Sequence, residues 1–164
     1  MVDERETILL LDSDSYTRWT LKALLESENY SVMAADTIET ALKNLSGKIS
    51  GFITEYWVNR SNTLETIREL KERIPEAYVM MLTDNVLNED DYEAVINAGV
   101  DDYFIKPVPA QRVLLHLRKG LRQHSQILLY AAPQAKPDQN TPDQEKNDGR
   151  RTNESKIQGS MTRK

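Results

Sequence analysis

The sequence predicts an α/β protein, a doubly wound sheet of five parallel strands with helices on both faces. Three observations lead there. Between residues 6 and 130, apolar runs alternate with helix-period patterns, the alternation that builds strand-helix units. The first run, Ile8-Leu9-Leu10-Leu11, is continuously apolar, as a strand covered on both faces requires. Polar groups stand just past the ends of these runs: Asp12-Ser13-Asp14, Glu55, Thr83 and Lys106. In an open parallel sheet such groups collect at the carboxyl edge, where ligands bind.

The elements follow in order. Residues 8–11 form the first strand. Ser15 reads as the N-cap of a first helix that turns Leu21, Leu24 and Leu25 inward. Residues 30–34 form a short second strand. Thr37 caps a second helix with an apolar stripe of Ile38, Ala41, Leu42 and Leu45. The third strand, residues 52–54, ends at Glu55, and a loop over residues 56–63 follows. A third helix spans residues 64–73 with Leu64, Ile67 and Leu70 inward, and Pro75 closes it. Residues 78–82 are the fourth strand. The fourth helix starts at Asn88 or Glu89 and ends at Ala98, with Tyr92, Val95 and Ile96 apolar and Gly99 placed for a left-handed C-cap. Residues 103–105 are the fifth strand. Pro109 suits the first turn of a last helix that carries Val113, Leu114, Leu117 and Leu121.

The chain has 164 residues, enough for one domain with a sizeable core and a remainder. Residues 1–6 read as a lead, residues 7–130 as the domain and residues 131–164 as a polar tail. The tail has three prolines, many Gln and Asn and little to bury, so it is expected to be disordered. It holds seven Lys or Arg and five Asp or Glu, net +2, which leaves −7 on the rest of a chain of formal charge −5. That balance argues against a nucleic-acid partner. No apolar run approaches the roughly 18 residues of a membrane span, so no membrane partner is expected. The start, Met1-Val2-Asp3-Glu4-Arg5-Glu6, is too charged for a signal peptide. With no cysteine there is neither a disulfide framework nor a thiolate metal site, and the expected compartment is the cytoplasm. His116 and His124 read as helix-face or surface residues, not metal ligands. The apolar run Ile127-Leu128-Leu129-Tyr130 stands past the last expected helix, where the domain should have ended, and marks an interface.

An acid, a hydroxyl and a lysine at successive strand ends resemble the receiver domain of two-component response regulators, over roughly residues 7–123. Asp12 matches the first member of the family's acidic pair, and Ser13 stands where the second acid normally is. Glu55 takes the place of the phosphoacceptor aspartate. Thr83 matches the switch hydroxyl, Tyr103 the switch aromatic and Lys106 the invariant lysine. Gly99-Val100-Asp101-Asp102-Tyr103 followed by Lys106-Pro107 is the most specific stretch. The resemblance implies a flavodoxin-like (βα)5 receiver fold, a signalling protein in place of an enzyme, and a cis bond at Lys106-Pro107.

In the family, a phosphoryl group passes to a carboxylate. That needs an in-line acceptor, Mg²⁺ on carboxylates, and a lysine for the developing charge. This chain departs from that set. Ser13 removes one anionic ligand, Asp14 sits where the strand should already be turning into a loop, and Glu55 is one methylene too long. Mg²⁺ demands near-octahedral oxygen geometry, so its binding is expected to be weak or absent, through Asp12 and Glu55 if at all. Asp84 adds negative charge beside Thr83, and Trp57 is expected to cover the pocket.

The expectation is therefore a pseudo-receiver, a phosphorylation-independent signalling and protein-interaction module without a resident cofactor. Two alternatives stand beside it: a phosphate-accepting single-domain receiver in a phosphorelay, and a flavodoxin-like ligand-binding module. Glu55 either pairs plainly with Lys106 or mimics a phosphoryl group and draws in Thr83 and Lys106. Glu55→Gln is expected to leave Lys106 unpaired. The implied partner is a histidine kinase or a downstream regulator, on the face of the fourth helix, fifth strand and fifth helix. There Glu89, Asp90, Asp91 and Glu93 oppose Arg112, Arg118, Lys119 and Arg122, a pattern that also suits a homodimer about a two-fold axis.

Overall fold

The computed structural model describes residues 5–45 and 48–131. Its elements are β1 (Thr7–Leu11), α1 (Ser15–Ser27), β2 (Ser31–Ala35), α2 (Ile38–Asn44), β3 (Gly51–Glu55), β4 (Trp57–Val58), β5 (Ser61–Asn62), α3 (Leu64–Arg73), β6 (Tyr78–Thr83), α4 (Glu89–Ala98), β7 (Asp102–Ile105) and α5 (Ala110–Ala131). Five strands pair in parallel in the order β2-β1-β3-β6-β7. This is the doubly wound sheet that alternation predicts.

The continuous apolar strands divide their side chains between two cores. Leu9, Leu11, Phe52, Val79 and Met81 face one core with residues of α2, α3 and α4. Ile8, Leu10, Ile53, Met80 and Leu82 face the other with Leu21 and Leu25 of α1 and with Val113, Leu114, Leu117 and Leu121 of α5. Period-two alternation puts neighbours on opposite faces, so a strand buried on both sides must be apolar at every position. The strand order reverses between β1 and β3, where Leu11 lies opposite Thr54. Just past that register the crevice opens, flanked by Asp12 and Glu55.

The structure corrects several local expectations. The cap of α1 is Asp14, not Ser15: its carboxylate accepts the Thr17 N–H at 2.7 Å, and Ser15 is the first helical residue. Thr37 caps α2 as expected, Asn88 is the cap of α4 with Glu89 its first helical residue, and Gly99 ends α4 at φ 102°. The loop after Glu55 contains a hairpin, with Trp57 opposite Asn62 and Val58 opposite Ser61. Asn59 and Arg60 turn it at positive φ, 49° and 69°. Both central residues of a type I′ turn need that conformation, and a non-glycine pair at this turn hides it from sequence reading. Tyr92 and Ile96 lie half exposed on α4; only Val95 of the expected stripe is in the core. The last helix continues through Ile127–Tyr130, so that run is part of α5 and not an extension beyond it. Apart from Ala131, the expected tail over residues 131–164 lies outside the described residues.

One close approach fixes α5 on the sheet. A Cβ on Gly120 would meet the Tyr78 ring at 2.2 Å. Tyr78 is buried on β6 and its hydroxyl donates to Asp102. Alanine is the better helix former by about 1 kcal/mol, yet overpacking a core typically costs about 1–3 kcal/mol. Gly120→Ala is therefore expected to lower unfolding free energy by about 1–2 kcal/mol in urea titration. Equal or greater stability would show that Tyr78 has room to move.

Candidate functional site

Four strand ends bring the predicted residues together. Asp12 follows β1, Glu55 ends β3, Thr83 ends β6 and Lys106 follows β7. The Lys106 backbone is fixed by its N–H, which donates to the Thr83 carbonyl at 2.7 Å, and the Lys106-Pro107 bond is cis, as expected. The ammonium donates to Asp12 Oδ2 at 2.8 Å and to Glu55 Oε1 at 3.3 Å. Asp12 and Glu55 are 2% and 7% exposed. The remaining oxygens are also taken. Asp12 Oδ1 accepts the Asp14 N–H at 2.8 Å. Glu55 Oε2 accepts the Ser13 hydroxyl at 2.9 Å and the Ser13 N–H at 3.4 Å.

The site is short of positive charge. Two buried carboxylates share one ammonium, and the exposed Asp84 stands beside them. Burial raises the Glu55 pKa above its ordinary 4.5, and the Asp12 charge raises it further; Lys106 and the Ser13 hydroxyl pull the other way, and Asp84 adds to the rise. Burial opposes the Lys106 charge, but the hydrogen bond and charge of Asp12, then the charges of Glu55 and Asp84, hold it above its ordinary 10.5. In a simple ion pair the acid would fall as the base rises. Here both rise, because burial and the Asp12 charge together outweigh what Lys106 and the Ser13 hydroxyl offer Glu55.

Other candidates sit differently from expectation. The exposed Asp14 spends its carboxylate on Thr17, whose hydroxyl and N–H hold its pKa below the ordinary value. Thr83 is buried, and its hydroxyl accepts the Asn85 N–H at 3.4 Å instead of turning to Glu55. Tyr103 is half-buried; its hydroxyl donates to the Asn85 carbonyl at 3.2 Å and accepts the Leu87 N–H at 3.4 Å. It thereby ties β7 to the loop before α4. Trp57 is half exposed on the hairpin, its ring edge-on to Tyr56 at 5.2 Å.

Sequence reasoning missed two supports. Arg18 donates to the Asp12 and Ser13 carbonyls at 2.7 and 2.9 Å, holding the turn after β1. Thr63 is buried and donates its hydroxyl to the Glu55 carbonyl at 2.7 Å. Neither has a sequence signal, because each contact depends on how a turn folds back.

For Mg²⁺ the site offers the carboxylates of Asp12 and Glu55, both engaged by Lys106. Each carboxylate oxygen of Asp12 and Glu55 already accepts an N–H, O–H or ammonium, and Ser13 offers only a neutral hydroxyl. Among the described residues no group of three His, Cys, Asp or Glu is arranged to hold a metal. Among the same residues, no helix is long and apolar enough to cross a membrane.

Residues 8–118 match the response regulator receiver domain family. The chain belongs to that family. Receivers are regulatory modules of two-component signalling and not catalytic enzymes, and this chain shares that class. It is 31% identical over 116 residues to the transcriptional regulatory protein CpxR of Escherichia coli strain K12, covering 71% of this chain and 49% of that protein. It is 26% identical over 126 residues to ResD of Bacillus subtilis strain 168, covering 76% and 52%. The chain thus spans about half the length of these curated relatives. In fold it is similar to a CheY-like receiver from Methanospirillum hungatei, with TM-score 0.72, 22% identity and 76% and 99% of the two chains covered. It also resembles the beryllofluoride-activated NtrC4 receiver domain dimer, with TM-score 0.65, 23% identity and 72% and 98% covered.

Two expected outcomes follow from the shared ammonium. Glu55→Gln keeps an acceptor for Ser13 and leaves Asp12 and Lys106 as a balanced pair, so Lys106 is not stranded as the sequence suggested. The variant should lie within about 1 kcal/mol of wild type at neutral pH, whereas Lys106→Met, which leaves two buried carboxylates unpaired, should cost about 3–5 kcal/mol. The reverse ranking in chemical denaturation would refute the charge count.

The pH dependence has a definite sign. A raised folded pKa on Glu55 means that the folded state binds more protons than the unfolded one. Its contribution is fully present below the ordinary 4.5 and is lost as pH rises through the raised value. Lys106, also raised, contributes below its ordinary 10.5 and loses that contribution above. Wild type should therefore lose stability relative to Glu55→Gln as pH climbs from 4.5. Parallel stability profiles across that window would contradict it.

Proposed function

We propose that this chain is an atypical receiver that signals by docking a protein partner without phosphorylation, with Glu55 in the acceptor's place. The observation that carries this is the closed ion cluster: Lys106 is held by Asp12 at 2.8 Å and Glu55 at 3.3 Å, and Ser13 closes the other Glu55 oxygen. A phosphoryl acceptor needs an oxygen free for in-line attack and a metal beside it. Glu55 holds Lys106 as an acceptor's phosphoryl group would, but Thr83 is turned to Asn85. The cluster thus imitates half of the phosphorylated arrangement.

The rival reading is a phosphate-accepting receiver in a phosphorelay. Likeness to CpxR and ResD, both named as transcriptional regulatory proteins, and the receiver family match speak for it. The family match speaks against a flavodoxin-like ligand carrier. The proposed compartment is the cytoplasm.

For the partner we favour a histidine kinase or downstream regulator on the face of α4, β7 and α5. Tyr92, Ile96 and Ile105 are each nearly half exposed on those elements, beside Glu89, Asp90 and Glu93. Of the expected charges, Arg118 pairs with Glu28 of α1 and Asp91 accepts the Tyr56 hydroxyl at 3.0 Å. Arg122 donates to the Arg118 carbonyl at 3.2 Å, which leaves Arg112 and Lys119 for the face. The acids in the first turn of α4 also favour that helix through its dipole.

The experiment is exposure of the full chain to acetyl phosphate and Mg²⁺ with intact-mass detection. No phosphoryl adduct is expected on wild type. Glu55→Asp combined with Ser13→Asp should gain one by restoring acceptor length and second acid together. A stoichiometric adduct on wild-type Glu55 would establish the phosphorelay reading instead.

A further inference from the structure

The end of α5 carries apolar side chains that the domain does not use. The helix is tied to the sheet by Val113, Leu114, Leu117 and Leu121. Helical spacing extends that seam to His124 and Leu128, and both line a crevice with Ile49 and Ser50 at the sheet's amino edge. Ile127, Leu129 and Tyr130 lie off the seam and are 64%, 73% and 86% exposed. Packing within the domain gives no reason for them. Residues 123–131, QHSQILLYA, contain no Asp, Glu, Lys or Arg.

We propose that this helix end is a self-association face, on which the same segment of a second copy packs antiparallel. An uncharged face offers nothing to a partner recognised by charge, and its own copy matches it without an unpaired ion. Direction follows from the residues just before it. A parallel pair would set Lys119 and Arg122 of one copy beside those of the other. An antiparallel overlap centred near Ile127 sends them to opposite ends. The contact is isologous and closes at two copies.

The size of the face sets the strength. Nine helical residues span roughly 14 Å. The exposed apolar area is on the order of 500 Å², near the largest patch of an ordinary monomer. Stable complexes bury about 800 Å² per partner. The dimer is therefore weak, in rapid exchange, with a dissociation constant in the micromolar range. It is independent of Glu55, so the acetyl phosphate result leaves it unaffected.

Sedimentation of the full chain from about 5 to 500 µM should show a reversible monomer–dimer equilibrium. Leu129→Glu with Tyr130→Glu should weaken it at least tenfold, with circular dichroism confirming the fold. A second measurement reads direction, because the chain has no cysteine of its own. Antiparallel packing brings residue 126 of the two copies close and holds residue 123 roughly 12 Å apart along the axis. Gln126→Cys should form a disulfide-linked dimer faster than Gln123→Cys. A chain that stays monomeric throughout, a dimer unmoved by the glutamates, or faster linking at 123 would each overturn the proposal.

Discussion

The Lys106 ammonium between two buried carboxylates organises the carboxyl edge of this domain. It draws the ends of β1 and β3 to the end of β7 across the sheet, with the end of β6 held beside it. Such a cluster is expensive to form, because each ion loses water. What makes it tolerable is full use of every oxygen. Asp12 takes the Asp14 N–H as well as the lysine, and Glu55 takes Ser13 as well as the lysine. The surrounding backbone is arranged to keep those donors in place. Arg18 braces the carbonyls of Asp12 and Ser13, and Thr63 holds the Glu55 carbonyl. The hairpin of β4 and β5 returns the chain so that Thr63 arrives there, its own N–H on the Tyr56 carbonyl at 3.0 Å.

Much of this was legible in the sequence, for reasons that differ by residue. Ile8–Leu11 and Tyr78–Leu82 announced buried parallel strands because both faces of such strands exclude polar groups. Thr37 and Gly99 announced helix ends because caps are local chemistry. Asp12, Glu55 and Lys106 announced a site because strand ends in this topology share one edge. The misses are also local in cause. Ser15 and Asp14 are both capping residues, and only the geometry of the turn chooses between them. Tyr92 and Ile96 fit a helical stripe, but α4 is short and lies at the sheet's margin, so only one side of that stripe reaches the core. The hairpin was invisible because Asn59-Arg60 is not a usual turn pair. Thr83 was placed correctly, yet its partner is set by the loop before α4.

Tyr103 links the two functional readings of the fold. Its hydroxyl bonds the Asn85 carbonyl and the Leu87 N–H, and its ring lies edge-on to Tyr92 at 5.9 Å. Asn85 in turn bonds the Thr83 hydroxyl. A contiguous set of contacts therefore joins the strand end beside Lys106 to the exposed face of α4. Contiguity alone does not establish coupling, which requires two arrangements with different affinity for a partner. The set does identify where such arrangements would differ: the Thr83–Asn85 bond and the position of the Tyr103 ring.

On the proposed reading, the difference from an ordinary receiver is a change in charge count. The family pattern supplies an acidic pair, an acceptor aspartate and a lysine, which leaves a net deficit that a divalent cation offsets. Ser13 removes one of those anions. What remains is Asp12, Glu55 and Lys106, with Asp84 exposed at the edge, so a smaller deficit is left in the buried part. The longer side chain of Glu55 then has a purpose that an aspartate would not serve. Its backbone is fixed in register opposite Leu82 and by Thr63, so the strand cannot advance toward the lysine. The extra methylene carries the carboxylate outward to meet both Lys106 and the Ser13 hydroxyl. The two substitutions are complementary: the smaller residue removes a charge and supplies a donor, and the larger one reaches it. On the proposed reading their combination fills the site with the protein's own groups, Lys106 bonded to Asp12 and Glu55, and Ser13 to Glu55.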